Sequence, residues 1–171
     1  DSGTASSAQS FLATGGLAGE VFYIVVDSYS ATSLGNYVLN ITPSTALWSG
    51  SIEDDLGSST GASVASGSNS AATATVDLSC GYNVGAAVAF TWTAPATAAY
   101  QLDTYGTDFD TVLGVTSGLG CEADLCNDDG PSSTVNESEV SLDAVAGTTY
   151  TIILGGYTGD TGSYVLNITA L

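Results

Sequence analysis

The chain has no lysine, no arginine and no histidine, so its 18 acidic residues give a formal charge of −18 at pH 7. No salt bridge can form between its side chains, and only cations or hydrogen bonds can answer the carboxylates. Such a surface repels phosphate backbones and lacks the electrostatic term that dominates nucleic-acid affinity, which excludes nucleic acid as a partner. The usual general bases, Schiff-base nucleophiles and phosphate clamps are missing with the basic residues. An enzyme would have to work with carboxylates, a thiol or a metal alone. Paired carboxylates cleave glycosides, but the acidic residues here fall mostly in Gly/Ser-rich turns with no aromatic sugar platform, and no independent active site is expected. Methionine is also absent and residue 1 is Asp1. The expectation is a chain cut from a precursor or excerpted from a longer one, with any export signal removed. No run approaches the roughly 18 consecutive apolar residues of a membrane span, so no membrane insertion is expected.

What is present is an all-β rhythm. The 21 glycines and many Ser, Thr, Asn and Asp residues separate short runs rich in Val, Ile, Tyr, Phe and Thr. Strands are predicted over 20–27, 36–42, 72–78, 87–93, 99–104, 111–116, 138–142, 148–154 and 163–169, and no segment keeps a convincing helical period.

An internal repeat organises these strands. Ala18-Gly19-Glu20-Val21-Phe22-Tyr23-Ile24-Val25-Val26 aligns with Ala146-Gly147-Thr148-Thr149-Tyr150-Thr151-Ile152-Ile153-Leu154. Both copies run through a tyrosine, Tyr29 or Tyr157, into nearly the same ending, Gly35-Asn36-Tyr37-Val38-Leu39-Asn40-Ile41-Thr42 and Gly162-Ser163-Tyr164-Val165-Leu166-Asn167-Ile168-Thr169. Residues 1–43 thus read as the back end of a unit whose complete version occupies 44–171. Two or three strands bury too little apolar surface to offset a chain entropy of roughly 1–2 kcal/mol per residue, so 1–43 needs a partner surface. Along Val21 to Val26 both faces are apolar, Phe22, Ile24 and Val26 on one and Val21, Tyr23 and Val25 on the other. In the second copy the latter face weakens to Thr149, Thr151 and Ile153. A strand apolar on both sides is normally covered on both. Val21, Tyr23 and Val25 are therefore candidate assembly residues, covered either by strand addition from a neighbouring copy or by the lost front half of a preceding repeat.

The segments Phe90-Thr91-Trp92-Thr93-Ala94-Pro95, Tyr100-Gln101-Leu102-Asp103-Thr104 and Gly106-Thr107-Asp108-Phe109-Asp110-Thr111-Val112-Leu113, followed by Cys126-Asn127-Asp128-Asp129 and the two repeat motifs above, resemble the bacterial pre-peptidase C-terminal domain family. The resemblance covers nearly all of 44–171 and, from its middle, 1–43. It implies an antiparallel β-sandwich of jelly-roll character, non-catalytic, carried by secreted bacterial proteins beside a hydrolase or in tandem surface arrays. The described roles are binding of matrix or insoluble substrates, secretion support and spacing, and fold analogy does not choose among them.

Asp108 and Asp110 alternate on an extended segment that the loop Asn127-Asp128-Asp129 would meet if the sandwich closes as in that family. An all-oxygen set of Asp108, Asp110, Asp128 and Asp129 suits Ca2+. Against this stands turn capping by the same aspartates. Asn40, Asn136 and Asn167 each open an Asn-x-Ser/Thr triplet and are candidate sugar acceptors, although so many Ser and Thr residues also produce such triplets by accident. Cys121 and Cys126 flank a short Glu-Ala-Asp-Leu turn and are expected to form a small stapled loop, leaving Cys80 over. Trp92, Phe90, Tyr100 and Leu102 alternate as inward core positions do, whereas Trp48 and Phe109 lie in turn-like settings as exposed anchors or as plugs. The reading favoured is an extracellular structural or adhesive module that self-associates into a fibre or tandem array. The rival is an accessory domain that tethers a secreted hydrolase to polysaccharide or matrix.

Overall fold

Alternating apolar residues bounded by turn-formers give a sandwich of two sheets. The computed structural model describes residues 50–80, 83–117, 125–131 and 136–171, with 23–25, 36, 38 and 39 besides. Its strands are β1 (Asp54–Asp55), β2 (Gly61–Ser68), β3 (Ala74–Val76), β4 (Val84–Thr93), β5 (Ala98–Asp103), β6 (Thr111–Ser117), β7 (Leu125–Asn127), β8 (Glu139–Ala144), β9 (Thr149–Gly156) and β10 (Ser163–Ala170). A 3-10 turn, Tyr157–Gly159, follows β9.

One sheet has the order β2-β10-β5-β8 and the other β4-β9-β6-β7. This interleaving of strands that follow one another in the chain is that of a jelly roll. β1, parallel to β4, and β3, antiparallel to it, share the edge of β4 that β9 leaves free.

The core between the sheets follows the strand period of two. β4 contributes Val88, Phe90 and Trp92, β9 contributes Tyr150, Ile152 and Leu154, and β10 contributes Tyr164, Leu166 and Ile168. Tyr100 and Leu102 of β5 face them, so all four positions named from alternation are core. The Trp92 indole lies edge-on to Tyr100, with ring centroids 5.0 Å apart. Its Nε1–H donates to the Ser59 carbonyl at 2.8 Å, which satisfies the one polar atom such a side chain brings inside. Phe109 is also buried in this core, as a plug and not as an exposed anchor. Trp48 lies outside the described residues.

A second apolar cluster lies on the opposite face of the larger sheet, where Ala87 and Ala89 of β4, Ile153 of β9 and Val112 of β6 meet Val76 and Leu78. After β3 the chain leaves one edge of this sheet and crosses its outer face. Leu78 seats on Gly114 of β6, where an added Cβ would stand 2.9 Å from Leu78 Cδ2. Cys80 then bonds to Cys126 in β7, at the far edge, with the two Cα atoms 5.7 Å apart. Residues 77–80 thus form a strap from edge to edge. It can lie flat because its floor is made of Gly114, Ala87 and Ala89.

Two expectations are corrected here. Cys126 pairs with Cys80, 46 residues away, and so is not free to pair with Cys121. The short spacing of Cys121 and Cys126 suggested a local staple, but the strap brings Cys80 across the sheet to Cys126; Cys121 itself lies outside the described residues. Second, the outer face of β9 in the complete unit, whose weaker apolar pattern was expected not to require the cover that the first copy needs, is covered at Thr151 and Ile153, while Thr149 is exposed. Thr151 and Ile153 are 2% and 0% exposed. The apolar outer face of Val21, Tyr23 and Val25 therefore asks for cover of a kind the second copy already has.

At the first copy, Tyr23, Ile24 and Val25 belong to no strand, although a strand was predicted over 20–27. They are 93%, 52% and 87% exposed, and Val38 and Leu39 are 84% and 48% exposed. Val21 lies outside the described residues.

Candidate functional site

Three connections meet beside β10: the β5–β6 loop with Asp108 and Asp110, the turn after β7 with Asp128 and Asp129, and the stretch Asn136 to Ser138 before β8. Buried hydroxyls pin them together. Thr104 Oγ1 and Thr111 Oγ1 lie 2.7 Å apart, and Thr111 Oγ1 lies 3.0 Å from Ser138 Oγ. The Ser138 N–H donates to Thr104 Oγ1 at 2.8 Å, and its hydroxyl is 2.7 Å from the Thr111 carbonyl and 2.9 Å from that of Asp128. All three residues are fully buried. The sequence marked Ser138 as the third position of a triplet and the start of a predicted strand, and nothing in local spacing shows that it meets Thr104 and Thr111.

The four aspartates do not act as one set. Asp108 accepts the Ser163 N–H at 2.7 Å through Oδ1 and so fastens its loop to the start of β10, a capping role. Thr107 reinforces the same clip, its hydroxyl accepting the Val165 N–H at 3.0 Å. Asp110, Asp128 and Asp129 do come together, and Asp160 joins their field from the turn after β9. Asn69, fully buried, holds that turn by donating to the Asp160 carbonyl at 3.1 Å and accepting the Gly162 N–H at 2.8 Å. Among the described residues, Asp110 Oδ1 and Asp128 Oδ1 are buried without a hydrogen-bond partner.

Burial, then the charges of Asp110 and Asp129, push the Asp128 carboxyl up to about 6. Burial, then Asp129 and Asp160, push Asp110 up as well. Two buried, unanswered oxygens in a field of like charge are what a proton or a hard cation relieves. Among the described residues, however, no group of three or more Asp, Glu, Cys or His side chains is arranged to hold a metal ion.

The pH dependence follows from the direction of the shift. A carboxyl whose folded pKa is raised favours folding fully below its ordinary value near 3.8, and that contribution is lost as pH rises through about 6. With chelator present, the Tm of the wild type is expected to fall between pH 4 and 7 relative to Asp128→Asn, which is neutral throughout. Parallel curves for the two proteins would contradict this account of Asp128.

A cavity of about 320 Å3 opens next to this cluster, lined by Thr107, Asp108, Phe109, Asn136 and Glu137. Asn136 is exposed there. Asn167 has a different environment: its Nδ2 donates to Asp103 Oδ1 at 2.6 Å and to the Tyr105 carbonyl at 3.1 Å, and its Oδ1 accepts the Ser63 N–H at 2.8 Å. That amide braces β10 to β2 and β5 at the bulge between Leu166 and Ile168, and a sugar on Nδ2 would remove at least one of its two donations. Asn40 lies outside the described residues. Tyr105 belongs to the same side of the sheet. Burial and a hydrogen bond donated at 2.8 Å to Glu139 Oε2 hold its phenol at about 12.

The fold and these loops define a jelly-roll β-sandwich with an acidic cluster among its connections. No protein-family model, no curated protein and no solved structure matches the chain.

Proposed function

We propose that this chain is a non-catalytic extracellular structural or adhesive module, similar to pre-peptidase C-terminal domains, that works in a fibre or tandem surface array by sandwich or strand complementation. The observation that carries the reading is the first repeat copy. Its sequence reproduces β9 and β10, which lie in the middle of the two sheets and are buried there. Yet Tyr23, Ile24, Val25, Val38 and Leu39 stand exposed and outside any strand. Exposed apolar residues with strand sequence are a template for pairing, and a second unit, preceding or neighbouring, supplies the missing flanks. The Cys80–Cys126 bond is in keeping with an oxidising, extracellular setting.

Ca2+ at Asp110 and Asp128 belongs to the same proposal. Its support is the pair of buried oxygens without a donor, in a chain that has no basic side chain to offer them.

The test is the state of association of the full chain, by light scattering and electron imaging over a range of concentrations. Concentration-dependent assembly that Tyr23→Asp with Val25→Asp disperses is the expected result. A monomer at every concentration, with or without added Ca2+, overturns the reading.

A further inference from the structure

We propose that the open edge of β2 is a docking edge for the Asn36 to Thr42 segment of a second copy of this chain; this rests on the assembly reading above and specifies the contact. β2 runs for 8 residues at the margin of the four-stranded sheet. It pairs with β10 on one side and, among the described residues, with no strand on the other. Such an edge presents unpaired N–H and C=O groups that a further strand can extend, regularly over 65–68 and less so over 61–65, where the pairing with β10 is bulged and Ser63 has a φ of 52°.

The other margins are protected. β8 carries Glu139 and Asp143, β1 is the pair Asp54–Asp55, and β3 and β7 are each only 3 residues long. β2 has no charged residue and no proline in Gly61-Ala62-Ser63-Val64-Ala65-Ser66-Gly67-Ser68. In a chain of charge −18, contact between copies is least opposed where charge is missing, and no acidic residue lies between Asp55 and Asp77. The same holds between Asp27 and Glu53, the stretch that contains the proposed occupant.

The occupant is identified by sequence. Tyr37-Val38-Leu39-Asn40-Ile41-Thr42 is identical to Tyr164-Val165-Leu166-Asn167-Ile168-Thr169, and β10 is the strand that β2 already pairs with, Tyr164 opposite Gly67 and Leu166 opposite Ala65. Tyr164 lies close over Gly67, where an added Cβ would meet its Oη at 2.6 Å. The small residues of β2 thus accept large neighbours from a β10-like strand; Tyr164 fills the place over Gly67, and a second strand of that sequence would pair along the edge that β10 leaves free. Val38 and Leu39 are exposed and belong to no strand.

Hydrogen exchange on the full chain, comparing monomeric and assembled fractions, tests this. Amides of 61–68 and of 36–42 are expected to exchange about tenfold more slowly, or slower still, in the assembled fraction only. A synthetic peptide of residues 35–43 should compete and release monomer, and a scrambled peptide should not. Assembly with 61–68 unprotected overturns the edge assignment while leaving the association itself intact. Assembly with 61–68 protected and 36–42 unprotected points to β2 pairing with another β2 and overturns the occupant. Protection of both stretches in the monomer places the segment on its own chain and overturns the proposal, and a chain that never assembles overturns it together with the functional reading.

Discussion

Cys80→Ser is expected to destabilise the domain by about 4 kcal/mol, the loop-entropy value for a cross-link spanning 46 residues, and to lower Tm by about 10 °C. The closed loop contains β4, β5 and β6, so in the unfolded chain the bond restrains a large part of the domain. Cys121→Ser is the control, expected to leave Tm nearly unchanged because Cys126 is engaged elsewhere. A large loss from Cys121→Ser and none from Cys80→Ser would favour the short staple that spacing alone suggested. Peptide mapping without reduction gives the same decision directly.

The strap carries the second large effect. Leu78 is 2% exposed and seated on the glycine floor of β6, and Leu78→Ala is expected to cost about 3 kcal/mol through lost burial and the cavity left behind. Denaturant unfolding of Leu78→Ala, Cys80→Ser and the double variant tests whether both act through one element. The two losses should sum to more than the double variant shows, because a strap already released has less packing to lose. Strict additivity would mean that Leu78 holds its place without the disulfide. Gly114→Ala probes the same contact from below, since its methyl must push Leu78 from its seat.

The strands rich in Val, Ile, Tyr and Phe were legible because their period reflects which face is buried. β4, β5, β6, β8, β9 and β10 all fall where the alternation put them, and the described parts of the chain hold no α-helix. β2 was not legible. Its sequence has one β-branched residue, Val64, and its strand character comes from pairing with β10 nearly a hundred positions later. β7 was hidden similarly, being a short strand that pairs with β6. At the acidic cluster, the expected grouping of Asp108, Asp110, Asp128 and Asp129 followed from the resemblance. The separation of Asp108 did not, because it depends on where Ser163 presents its N–H. Asp160 was missed for the same reason: it is a turn residue whose position is set by Asn69, far back in the chain.

By itself the sequence determined the fold class, the inward rows of the core and the repeat, since each follows from local period or from self-similarity along the chain. Only the tertiary structure decided which cysteines join and, among the described residues, which aspartates lack hydrogen-bond partners and which sheet edge has no neighbouring strand. Those depend on distances between residues remote in the chain, and these are fixed when two sheets close over one core and a strap crosses the outer face of one of them.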